Sequence, residues 1–345
     1  MTVALYLVAT LGLAVLMVVH ESGHYFAARK FGMRVVRFSI GFGPTLWKHK
    51  PKDSPTVYQV ALIPFLAYVQ IAGMNPYEES DPKDPGSYAN AGLWARIVTI
   101  AAGPLTNYFF ASVLIFFGLL IGGHEVPDEA SMRVIVESGP AQTAGVETND
   151  KIEAVNGTPV ATWDELRNII RAHAGDPVDL TVGRGAETLH RTVTPGAKGD
   201  KDEGLIQVRM PTHVEPVGLV ESAKISVIAP PVFVYENVLA IGRVLAGKDK
   251  LTVSGPVGIV KETAKQARTG LGVLLQFLGM LSAYLGAFNL LPFPALDGGR
   301  LLFLVAEAVS RRKPDAKLEA RVHAVGLLML LTLIAFVTYA DVVAK

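Results

Sequence analysis

Read as a succession of apolar and polar stretches, the chain carries four apolar runs of membrane-crossing length: Val3 to Val19, Ile97 to Ile121, Leu271 to Leu291 and Val322 to Tyr339. A helix rises 1.5 Å per residue, so about 20 residues cross a hydrocarbon core about 30 Å thick. The first run has no basic stretch before it and no small-residue cleavage site after it, and reads as a retained span. A further apolar stretch, Ala223 to Ala246, contains Lys224, Glu236, Arg243 and the Pro230-Pro231 pair. A charge at the bilayer centre costs about 2.5–3.5 kcal/mol, which favours an amphipathic surface helix there over a fifth span.

Between the spans the periodicity changes. From Pro127 to Val214, short β-branched runs such as Val134-Ile135-Val136 and Leu180-Thr181-Val182 alternate with Gly and Asn-Gly turns. One helical pattern, Trp163 to Ala172, puts Leu166, Ile169 and Ile170 on one face, with Thr162 and Glu165 spaced as a capping box. Together these predict a small soluble α/β domain. Val35 to Ile71 also alternates, with Val36, Phe38 and Ile40 in one run and Tyr58, Val60 and Leu62 in another. Turn signals at Gly43-Pro44 and Lys50-Pro51 suggest a hairpin dipping toward the membrane.

Composition agrees with a membrane protein: 50% of the 345 residues are hydrophobic and 18% charged, against about 25% charged in soluble domains. A net charge of +1 offers no basic field for nucleic acid, and nucleic-acid binding is excluded as a main function. Arg29, Lys30, Arg34, Arg37, Lys48, Lys50 and Lys52 follow the first span, and Arg311, Arg312, Lys313, Lys317 and Arg321 precede the last. Such basic loops stay cytoplasmic, which puts both termini and the segment between Gly122 and Gly270 outside.

With no cysteine, a metal site must use His and carboxylate. His20-Glu21-Ser22-Gly23-His24 places two imidazoles at i and i+4 on one helix face, with Glu21 displaced so that it can act on a metal-bound water without ligating the metal. The bland alternative is two ordinary helix-end histidines, which an intramembrane position disfavours. A catalytic zinc needs a third ligand, and Asp297 is the candidate, after a helix broken at Pro292 and Pro294. The competing reading is a plain Pro/Gly loop. Topology favours the site: His20 lies 17 residues into a helix entering from outside, or about 26 Å deep, and Asp297 follows another outside-to-inside span.

Four motifs in order, His20 to His24, Ala102-Gly103-Pro104-Leu105-Thr106-Asn107, Ser254-Gly255-Pro256-Val257-Gly258-Ile259 and Asn289 to Gly299, resemble the site-2 protease family of intramembrane metalloproteases, in its bacterial regulator-of-sigma-E branch. The external domain resembles a circularly permuted PDZ domain through Gly139-Pro140-Ala141, Ala144-Gly145-Val146, Asp150-Lys151-Ile152 and Val155-Asn156-Gly157. Asn149 stands where relatives have Gly, and Asn tolerates the left-handed backbone. The resemblance implies that His20, His24 and Asp297 bind Zn2+, that Glu21 activates water, and that Asn289 and Pro292 help hold substrate. It implies also that the Val35–Ile71 hairpin adds a strand of unwound substrate. A PDZ domain would either hold a substrate end near Gly139 and Gly145 or exclude substrates with bulky external parts.

The expected fold is thus an α-helical membrane protein with four transmembrane helices, a membrane-associated β-hairpin and an inserted extracytoplasmic α/β PDZ domain. Its divisions are 1–122, carrying the first two spans; 127–214, the PDZ domain; 215–270, an extracytoplasmic amphipathic segment; and 271–345, carrying the third zinc ligand. The expected activity is zinc-dependent intramembrane cleavage of single-pass proteins such as anti-sigma factors or signal-peptide remnants, in contact with lipid of the cytoplasmic membrane. Competing classes are a membrane-anchored PDZ binding module and, given its broken helices, a transporter.

Overall fold

The computed structural model describes residues 2–63, 67–77, 83–137, 139–197, 204–246 and 255–343. In chain order the elements are α1 (Val3–Lys30), β1 (Val35–Ile40), β2 (Phe42–His49), β3 (Val57–Ile63), β4 (Tyr68–Ile71), α2 (Leu93–Gly122), β5 (His124–Pro127), β6 (Ile135–Val136), α3 (Pro140–Thr143), β7 (Lys151–Val155), β8 (Thr158–Pro159), α4 (Trp163–Ala172), β9 (Val178–Arg184), β10 (Glu187–Val193), β11 (Val208–Arg209), β12 (Thr212–Glu215), α5 (Leu219–Leu245), α6 (Pro256–Thr269), α7 (Leu271–Asn289), α8 (Asp297–Ser310) and α9 (Ala316–Val343). They divide into two compact units, residues 1–122 with 217–345, and residues 123–216.

In the first unit, α2 and α7 run antiparallel in close contact. Gln276 Nε2 donates to Gly118 O at 3.2 Å and Ser282 Oγ to Asn107 O at 2.9 Å. Gly122 and Gly272 meet at one end, where a Cβ added to Gly272 would lie 2.3 Å from Gly122 Cα. Small residues let backbones approach in lipid, where apolar side chains gain nothing by leaving the solvent. α1 packs beside α2 and continues through Lys30, past the expected end of the first span, so the histidine motif lies within one unbroken helix.

Five helices, α1, α2, α5, α7 and α9, are long and apolar enough to cross a membrane, one more than expected. The difference is α5. It lies along α2 and α7, starts beside Phe116 and reaches Tyr284, whose hydroxyl accepts a hydrogen bond from Asn237. It buries Ser222, Ser226 and Pro230 at four-residue spacing and exposes Val220, Val227, Ile228 and Val238. That inside-out pattern suits an apolar surrounding rather than an aqueous one. Lys224 and Glu221 pair at 3.5 Å near its start, while Pro230 and Pro231 are accommodated inside the helix. α6 is amphipathic. Its first turn is capped by Asp341 of α9, which accepts from Gly255 N and Gly258 N at 3.0 Å each; Ser254 of the same motif falls outside the described residues.

The expected hairpin is a four-stranded mixed sheet in the order β2-β3-β1-β4, with β1 and β3 parallel. β2 escapes the sequence reading because Gly43-Pro44 resembles a turn, yet Pro is tolerated on an edge strand, which β2 is. One side packs against the helices through Tyr25, Phe38, Ile71, Ile100 and Leu304, while Phe42, Leu46 and Trp47 of β2 are exposed. β4 forms the other edge.

The second unit has a sheet in the order β10-β9-β7-β8 and two short ladders, β6 with β11 and β5 with β12. Val134, Ile152, Val155, Leu180 and Val182 are fully buried in its core. The capping box forms as read: Glu165 N donates to Thr162 Oγ1 and Thr162 N to Glu165 Oε2, each at 3.2 Å. Asn149 adopts φ +78°, the left-handed conformation expected. Asp150 is 2% exposed and receives Arg184 through Nε and Nη2, both at 2.8 Å. Burial alone would raise its carboxyl pKa, but the Arg184 guanidinium and the Glu147 N–H outweigh it and hold it below the usual carboxylate range.

Candidate metal centre

The i, i+4 spacing on α1 brings His20 Nε2 and His24 Nε2 to 3.3 Å from one another. Asp297, first residue of α8, places Oδ2 3.1 Å from His20 Nε2 and 3.2 Å from His24 Nε2. Three donors thus form a nearly equilateral triangle. A tetrahedral zinc with bonds of about 2.0–2.1 Å requires donors about 3.3 Å apart, so the triangle fits it with little adjustment. Asp297 Oδ2 is buried with no hydrogen-bond donor, an arrangement that a cation resolves. Among the described residues this is the group of His and carboxylate side chains close enough to hold a metal together.

Both histidines are fixed from behind by α2. His24 Nδ1 lies 2.8 Å from Thr99 O, so its proton sits on Nδ1 and Nε2 is free to ligate. His20 Nδ1 faces the Asn107 amide at 3.2 Å. Ligation through Nε2 leaves a proton on Nδ1, which needs an acceptor. Turning the Asn107 amide so that its oxygen faces the ring supplies one and also satisfies Oδ1, otherwise buried without a partner. Close helix approach makes room for the rings: a Cβ at Gly103 would lie 2.3 Å from His24 Nε2, and one at Gly23 2.3 Å from Ala102 O. This close packing, with Asn107, gives a role to the Ala102 to Asn107 motif, which the sequence left unexplained. Asn107 could have been found from the rule that a polar side chain inside a membrane helix usually has a function; Thr99 acts through its backbone and leaves no signal.

Glu21 stays off the triangle, and its Oε2 accepts from Val69 N at 2.9 Å. This bond sets Glu21 against the outer edge of β4, the side that does not pair with β1. α8 is tied to α2 by a buried bidentate pair, Arg96 with Glu307, which fixes the helix that begins at Asp297. The pair joins residues 211 apart in sequence.

The other expected site residues are placed as follows. Asn289 ends α7, and its Nδ2 donates to Leu285 O at 2.9 Å; Pro292 is exposed in the loop before α8. Gly139 precedes α3 and abuts Gln207, and Gly145 O accepts from Arg184 and Arg191. A cavity of about 330 Å³ in the second unit lies between α4 and residues 204–210, and neither glycine is among the residues that line it.

The sequence profile of Peptidase family M50 matches residues 8–333. The chain is 31% identical to the zinc metalloprotease RasP of Geobacillus kaustophilus over 401 aligned positions, covering 94% of each protein. It is 28% identical to the regulator of sigma-W protease RasP of Bacillus subtilis over 406 positions, again covering 94% of each. A profile spanning nearly the whole chain, together with full-length relatives, makes this chain a member of Peptidase family M50.

Proposed function

We propose that this chain is an intramembrane zinc metalloendopeptidase that hydrolyses peptide bonds in or beside the transmembrane segments of single-pass membrane proteins. The observation that carries the reading is the donor triangle of His20, His24 and Asp297 with Glu21 beside it. Zinc held there would supply a Lewis acid and make a water acidic enough to be used near neutral pH. Glu21 would serve there as the base that takes up a proton and returns it to the leaving amine, and Val69 N–H keeps one of its carboxylate oxygens in place. The edge of β4 that does not pair with β1, where Glu21 already holds Val69 N–H, takes the unwound substrate as an added strand, compensating the helical hydrogen bonds it gives up. Asn289 and Pro292 hold the substrate from the loop side.

The charge pattern and the meeting of Gly122 with Gly272 support a four-span topology in the cytoplasmic membrane, in which segment 123–270 leaves and re-enters at the outer face and α5 adds no net crossing. We read the second unit as an extracytoplasmic, permuted PDZ domain. Supporting this are β11 pairing with β6 and a groove beside α4 lined by Leu166, Ile170, Ile206 and Gln207. It holds a substrate end or excludes untrimmed substrates. The name of the Bacillus relative, a regulator of sigma-W protease, supports signalling substrates such as anti-sigma factors; signal-peptide remnants are the second class. The test is co-expression with tagged single-pass proteins: wild type releases a fragment and Glu21→Gln does not. Equal release by both would refute the proposal.

A further inference from the structure

The loop that delivers Asp297 is held by the last helix. Ala295, two residues before the ligand, has φ +79°, a left-handed conformation that a residue with a Cβ adopts only when its surroundings impose it. Its N–H donates to His323 Nδ1 of α9 at 3.0 Å. One turn further along α9, Gly326 lets the helix backbone close on the same loop: a Cβ there would lie 2.3 Å from Pro294 Cβ and 2.5 Å from Pro294 O. The approach is local. Along the rest of α9, Leu328, Leu333 and Phe336 are exposed, and the helix meets α6 again only near its end, through Asp341.

We infer that His323 is a positioning residue for the metal site, acting through the Ala295 N–H to fix the turn that aims Asp297 at His20 and His24. Because a backbone N–H donates to Nδ1, this nitrogen is the acceptor and the ring proton sits on Nε2, which faces Glu319 Oε1 at 4.0 Å. The ring is buried, 9% exposed, and stands near Phe303 at 6.0 Å between centroids. An imidazole in this place does what a leucine or phenylalanine cannot: it satisfies the one donor that the left-handed turn points at α9. Without that acceptor the turn loses its reason to stay left-handed, and the carboxylate oxygen leaves the triangle. Among the described residues His323 makes its hydrogen bond, ion pair and ring contact with Ala295, Glu319 and Phe303 and with none of the three ligands, so its effect on the metal is indirect.

The inference rests on the zinc reading above, and the experiment separates the two. Full-length protein is purified as wild type, His323→Asn, His323→Phe and Asp297→Ala, and the rate of zinc loss to a chelator is measured. Asn Oδ1 occupies the place of Nδ1 and can accept from Ala295, whereas Phe keeps the ring volume and offers no acceptor. Positioning residues behind metal ligands typically change affinity about 10–100-fold, so His323→Phe should lose zinc about 10–100 times faster, with His323→Asn close to wild type. With saturating zinc, kcat should fall in His323→Phe while KM stays put. A packing role predicts the reverse order, with Phe tolerated and Asn damaging, and that result would overturn the inference. So would equal zinc retention in all the His323 variants, equal loss in both, or a Phe variant that does not fold. If wild type and Asp297→Ala retain no zinc alike, the metal reading itself has failed.

Discussion

Both units bury apolar side chains, but the first buries many more polar ones beside them. The second unit hides Val134, Ile152, Val155, Leu180 and Val182 at 0% exposure, as any domain in water does. The first unit hides Thr99, Asn107, Ser282 and Ser222 at 0% and turns Val3, Phe109, Val227 and Phe336 outward. The difference teaches that the first unit is built for a solvent as apolar as its own side chains. There the contacts that specify structure are close backbones, hydrogen bonds and buried charge. A protease gains from this inversion, because polar groups gathered inside the bundle are the ones needed to hold a metal and move a proton.

Substitutions should sort by unit, the most severe being those that crowd the inner polar cluster. Gly103→Leu, which drives a side chain into the His24 imidazole, should abolish zinc binding and proteolysis together, checked by metal analysis and fragment release. Next, Arg96→Met strands Glu307 inside the bundle; removing one partner of a buried pair costs about 3–5 kcal/mol, readable as a lower melting temperature in detergent. In the second unit the same order of loss should come from an apolar truncation. Leu180→Ala should cost about 2–5 kcal/mol, seen as faster hydrogen exchange confined to β7, β9 and β10. Leu333→Ala on α9, chemically identical but 57% exposed, should change stability by less than about 0.5 kcal/mol. Comparable losses from the two leucine truncations would erase the contrast between the units.

The smallest effect concerns acid. The folded Asp150 carboxyl lies below its ordinary value of 3.8, so its contribution is complete above that value and lost as pH falls through the lower folded one. Protection of the second unit should therefore fall as the pH drops below about 4, and Asp150→Asn should flatten that dependence.

What could be read in the sequence follows the same division. Periodicity gave α4 with its capping box, and the spacing of His20, Glu21 and His24 gave two of the three candidate ligands and the base, because both are local along one helix. Asp297 was reachable only through topology. The edge strand β2 and the unbroken length of α5 were missed, since Gly43-Pro44 and Pro230-Pro231 look like breaks until neighbouring elements absorb them. Arg96 with Glu307, Thr99 O behind His24 and His323 behind Ala295 depend on chain segments brought together by packing, and no local pattern announces them.

The central claim is that His20, His24 and Asp297 hold one zinc and Glu21 works beside it without binding it. The most direct test is zinc stoichiometry of purified wild type, Glu21→Gln and Asp297→Ala. About one zinc per chain is expected in the first two and close to none in the third. Full occupancy in Asp297→Ala, or loss of zinc in a folded Glu21→Gln, would contradict the account.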